Sequence, residues 1–64
     1  MNADTFKGKW HQIKGSLKEK WGELTDDEIT RVDGNLEKMS GLIQQKYGKS
    51  REEAEREIDD LMKS

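Results

Sequence analysis

The chain has 64 residues, 30% apolar and 41% charged, with a formal net charge of −2. So short a chain buries only about 60% of its unfolded surface, enough for one small domain over residues 1–64. Without cysteine it has no disulfides and no thiolate metal sites, and no apolar run approaches the roughly 20 residues that span a bilayer.

The small net charge and the two tryptophans, one tyrosine and one phenylalanine set the chain apart from a disordered tail. The opening "MNADTFKGK" lacks the apolar core of a signal peptide. These features predict a helical protein of the cytoplasm with no stable membrane insertion. The absence of proline and the wealth of Glu, Lys, Leu and Gln favour helix throughout.

In chain order, a first helix is expected near 4–21, capped by Asn2 or Asp4, with Phe6, Trp10, Ile13, Leu17 and Trp21 on one stripe. "TDDE" then starts a second helix near 25–33. Thr25 is its N-cap and Glu28, three residues on, completes a capping box. A third helix near 35–47 carries Leu36, Met39, Ile43 and Tyr47. A fourth, near 50–63, opens with a second capping box, Ser50 with Glu53. Gly22 and Gly48 follow the last apolar residues and suit the left-handed position past a helix end.

Shifted by 26 residues, the chain lies over itself. Gly8, Gly15 and Gly22 fall on Gly34, Gly41 and Gly48, and Trp10, Ile13, Leu17 and Trp21 on Leu36, Met39, Ile43 and Tyr47. Repetition of this kind fixes architecture. It predicts an all-α bundle of about four helices, built as two helical hairpins over about 5–32 and 33–63 and packed orthogonally. Ile29, Val32, Leu36, Met39 and Ile43 continue an apolar pattern straight across Gly34, which favours one long rod; the repeat favours a turn at "DGN", and the turn is preferred.

Gly15 and Gly41 pose a separate question, because glycine inside a helix costs roughly 1 kcal/mol relative to alanine. Three readings stand: a break or kink, close approach of the two equivalent helices, or contact with a partner.

The residues in "WHQIKGSLKEKWGELTDDEI" and "GNLEKMSGLIQQKYGKSREEAEREI" resemble the CsbD-like family of small bacterial stress-response proteins over about Phe6 to Ile58. The resemblance implies a cytosolic protein made abundant during general stress. It also implies a small helical bundle similar to the sterile-alpha-motif arrangement of paired hairpins. No biochemical activity, catalytic residue or cofactor comes with it.

Nor do the residues point to catalysis. His11, the only histidine, has no nucleophile or set of ligands at a fitting spacing, and reads as a surface residue. The glycines are seven apart rather than clustered as a phosphate loop requires. Asp26–Asp27 suits a helix start and Asp59–Asp60 a solvated face, and neither approaches a calcium loop. The reading is a non-enzyme with no cofactor and no metal. A pocket for a ligand of drug size is not expected, since such pockets occupy about 300–1,000 Å³.

Charge is the most informative remaining feature. Residues 1–22 carry net +3, 23–37 net −5, 38–49 net +3 and 50–64 net −3. The simplest reading is internal complementarity, basic helices lying beside acidic ones in weak surface pairs. A second is weak nucleic-acid binding. It uses a stripe of Lys7, His11, Lys14 and Lys18, joined by Lys9, Lys20, Lys46 and Lys49. A third, a basic amphipathic helix on an anionic membrane, requires Trp10 and Trp21 to leave the core. A monomer with an unidentified partner is the expectation.

Overall fold

The computed structural model describes residues 2–63 and contains five helices: α1 (Ala3–Gly8), α2 (Trp10–Lys20), α3 (Asp26–Val32), α4 (Leu36–Tyr47) and α5 (Arg51–Lys63). The fold is all-α. Helix α4 lies centrally and packs against α1, α3 and α5. Thirteen apolar side chains form one buried core, among them Phe6, Leu17, Met39, Ile43 and Ile58 with almost no exposure. Burying each of these contributes about 1.5–3 kcal/mol. The Cα radius of gyration is 10.3 Å, against about 10.7 Å for a well-packed chain of this length.

The caps follow the sequence signals. Thr25 Oγ1 accepts the Glu28 amide at 3.1 Å while Glu28 Oε1 accepts the Thr25 amide at 3.0 Å. Ser50 and Glu53 make the same reciprocal pair at 3.1 and 3.0 Å. Asn35 caps α4 through the Lys38 amide, and Asn2 caps α1 through that of Asp4.

Two features differ from the sequence-based expectation. The helix expected over 4–21 is divided at Lys9, whose φ of −95° and ψ of 2° leave helical geometry. The break lets α1 lean on α4 and brings the Phe6 and Trp10 rings to a tilted contact, 5.7 Å between centroids. Gly22 is not left-handed: among the described residues only Gly34, Gly48 and Asp33 have positive φ. Helix α2 instead ends in an extended Trp21, whose carbonyl accepts the Leu24 amide at 3.1 Å and closes a turn over residues 21–24. This connection, residues 21–25, is two residues longer than its counterpart at residues 48–50 and turns without a left-handed step.

The turn at "DGN" is present: Asp33 (φ 44°) and Gly34 (φ 78°) are both left-handed, and α4 restarts after Asn35. The 26-residue repeat places Gly8 and Lys9 on Gly34 and Asn35. The break at Lys9 is therefore the milder copy of the turn at 33–35. Lys9 N–H donates to Thr5 O and Ile13 N–H to Lys9 O, both at 3.0 Å, so helical bonds persist on either side of it.

Gly15 and Gly41 lie within regular α-helix, exposed, with open space where a Cβ would stand. Neither marks a break, and neither is a point of close helix approach within the molecule.

Candidate interaction surface

The aromatic stripe is not at the surface. Trp10 and Trp21 are 7% and 2% exposed, and Tyr47 packs half-buried against the same core. Ile13, Leu17, Met39 and Ile43 are buried with them, and Leu36 is partly buried at its edge. The Tyr47 hydroxyl accepts the Glu23 amide at 3.2 Å, which ties the end of α4 to the loop after α2. Trp21 Nε1 is buried without a hydrogen-bond partner among the described residues, and the Lys20 ammonium sits 5.4 Å from the Trp21 ring centroid.

What the surface offers is charge. Lys7 lies on α1, whereas His11, Lys14 and Lys18 lie on α2, so the expected stripe crosses the break at Lys9. All four are exposed. Lys18 is held by Asp26 at the start of α3, with both side chains largely in water, where such a pair is worth about 0–1 kcal/mol.

Of the lysines in the second half, Lys46, Lys49 and Lys63 are engaged internally, and Lys38 is exposed outside the ion pairs among the described residues. Lys46 Nζ meets Glu28 Oε1 at 2.8 Å and the Glu23 carbonyl at 3.4 Å. Lys49 meets Glu57 at 2.7 Å. The Lys46 ammonium and the Thr25 amide, both donating to Glu28, hold its carboxyl below the ordinary value of 4.5. The Ser50 amide and hydroxyl do the same for Glu53. Lys49 is raised above its ordinary value by its bond to Glu57. Five cations of the first half, Lys7, Lys9, Lys14, Lys20 and Arg31, are exposed and lie in none of the ion pairs among the described residues, Lys20 sitting instead over the Trp21 ring. No regular signal in the sequence separates these from Lys18, Lys46 and Lys49, because the pairing depends on which helices meet.

One depression of about 690 Å³ lies between α1, the 33–35 turn, α4 and the start of α5. Its volume falls within the range of ligand pockets, contrary to the sequence-based expectation, but it is an open groove rimmed by Asp4, Lys7, Glu37, Arg51 and Glu55. At its floor Gln44 Nε2 donates to the buried Ser40 hydroxyl at 3.2 Å. Ligand pockets are mostly apolar with a few polar groups, whereas this groove exposes about as much polar as apolar surface. Among the described residues no three His, Cys, Asp or Glu side chains converge as metal ligands. No helix among the described residues is long and apolar enough to cross a membrane.

The profile of the family described as CsbD-like matches residues 4–56. The chain is 57% identical over 58 residues to a UPF0337 protein of Bordetella pertussis, covering 91% of this chain and 88% of that protein. It is 50% identical over 61 residues to a UPF0337 protein of Pseudomonas aeruginosa, covering 95% and 94%. To the UPF0337 protein YjbJ of Escherichia coli it is 46% identical over 59 residues, covering 92% and 86%. No solved structure matches it at a significant level.

Proposed function

The chain belongs to the CsbD-like family, and from that premise we propose that it is a cytoplasmic, non-enzymatic stress-response protein acting through its charged surface as an interaction or protective protein. The observation that supports this is the division of labour among its side chains. Folding uses the large apolar groups in one core, and what faces water is a dense, mixed-charge layer that is strongly hydrated. A protein of this kind protects by weak, numerous contacts. The test is to heat or dry a labile enzyme with the protein, or with an equal mass of an unrelated small helical protein. Greater recovery with the protein, without a saturable complex, is expected. Equal recovery overturns the reading.

A second reading, weak nucleic-acid binding, is favoured by Lys7, Lys9 and Lys14 being exposed and outside the ion pairs. His11 lies with them, and Lys18, Lys20, Lys46 and Lys49 would first have to leave their present contacts. Three phosphate contacts give a slope of log affinity against log salt of about −2.7. Amide spectra of labelled protein with short duplex DNA test it. Shifts confined to residues 7–18 that fade with salt support it, and spectra that ignore DNA remove it.

A further inference from the structure

We propose that two copies of this chain exchange halves by straightening the turn at residues 33–35, so that α3 and α4 become one continuous helix and each half packs on the partner's other half. The first ground is the pattern across the turn. Ile29, Val32, Leu36, Met39 and Ile43 hold helical spacing from α3 into α4, so the straightened segment presents one unbroken apolar stripe. The second is the backbone. The turn depends on two consecutive left-handed residues, and Asp33, with φ 44°, is not glycine; Asp enters the left-handed region more readily than most residues with a Cβ but less readily than glycine.

The third ground comes from the repeat. At Gly8 and Lys9, the equivalents of Gly34 and Asn35, the chain stays right-handed and helical hydrogen bonds bracket the break at 3.0 Å. One motif thus occurs in two geometries within one molecule. The fourth ground is what the turn separates. The contacts of α1 and α3 with α4, the Glu28–Lys46 pair and the Glu23–Tyr47 bond all join residues 2–32 to residues 36–63. Each copy carries both sides of these contacts, so exchange remakes them between chains. Only the turn itself differs, as in domain swapping at a short hinge.

Gly34→Ala isolates the turn. A Cβ at Gly34 would stand 3.5 Å from the Trp10 and Lys7 side chains, an ordinary contact, so the positive φ is what resists alanine. The dimer dissociation constant is expected to fall by roughly 100-fold, tenfold for each of the two turns opened. Size-exclusion chromatography with light scattering reads the mass after refolding at high concentration.

Zero-length carbodiimide coupling of Glu28 to Lys46 in a mixture of isotopically light and heavy chains reads the exchange. Mixed light–heavy Glu28–Lys46 crosslinks in the dimer support the proposal. A folded monomer at every concentration overturns it, as does a dimer whose Glu28–Lys46 crosslinks stay within one chain. If Gly34→Ala does not fold, Asp33→Ala, at an exposed position, decides by the same two readouts.

Discussion

Lys46 Nζ and Glu28 Oε1 meet at 2.8 Å across the seam between the two halves, and the same carboxylate oxygen accepts the amide of Thr25. One acidic group thus ends an orphan donor at the start of α3 and pins α4 beside it. Because these donors lower the Glu28 pKa in the folded state, its contribution is present above the ordinary value of 4.5 and is lost as pH falls through the folded value. Glu53 acts with the same sign through Ser50. Thermal unfolding followed by circular dichroism is expected to show a midpoint that drops on acidification below about pH 4.5. Glu28→Gln is expected to flatten that dependence; an unchanged pH profile in the variant would contradict the assignment.

The two caps give a second expectation. Thr25→Ala and Ser50→Ala each leave a helix-start amide to water, at a cost of about 1 kcal/mol. In a domain this small that lowers the midpoint by about 4–8 °C. Urea unfolding of the two variants checks the magnitude, and a loss below a few tenths of a kcal/mol in either would show that the cap is idle in solution.

Gly15 and Gly41 are helical, exposed and unobstructed. Alanine at either is therefore expected to stabilise the protein by about 0.4–1 kcal/mol, mainly by restricting the unfolded chain. Destabilisation in calorimetry would mean that the backbone there is not ordinary helix. A stable variant that loses protective activity or binding would instead assign the two glycines to a partner's footprint.

Leu17 and Ile43 are related by the repeat and both are fully buried. Truncation of either to alanine costs about 2–5 kcal/mol, a large part of what so small a domain possesses. Both variants are expected to be largely unfolded at 37 °C by far-ultraviolet circular dichroism. Preserved helicity in one of them would show that the two halves do not share a single cooperative core.

Trp21→Phe tests a buried donor without an acceptor. The substitution loses apolar volume, yet it also removes the unpaired Nε1–H, whose burial costs about 1–3 kcal/mol. The two effects oppose, so the net change is expected to stay below the 3–5 kcal/mol typical of removing a large aromatic. A greater loss in urea unfolding would show that Nε1 is satisfied in solution, for instance by a buried water.

The readable parts of this fold were those written locally. Thr25 with Glu28 and Ser50 with Glu53 state their helix starts within four residues, and Trp10, Ile13, Leu17, Met39 and Ile43 state the buried face by spacing alone. The turn at Asp33–Gly34 was legible only because the repeat outweighed the apolar periodicity running through it. The same repeat, applied in reverse, places a break at Lys9, but nothing in the local residues distinguishes Lys9 from helix interior. Its geometry comes from α1 settling on α4. Charge pairing was legible as a trend and not in its particulars. Lys46 reaches Glu28 across 18 positions of sequence, a partnership set by packing, and this leaves Lys7, Lys9 and Lys14 outside the ion pairs.

The central place of α4 has a consequence for the nascent chain. Helices α1 and α3 both find their packing partner in residues 36–47, and α5 follows later still. At roughly 5–20 residues added per second, a ribosome takes about one to three seconds to make that segment after α3 is complete. Throughout that interval Phe6, Trp10, Leu17 and Val32 have no α4 to cover them. The core closes only once residues 36–47 have been made, so the N-terminal half carries its apolar faces uncovered until then.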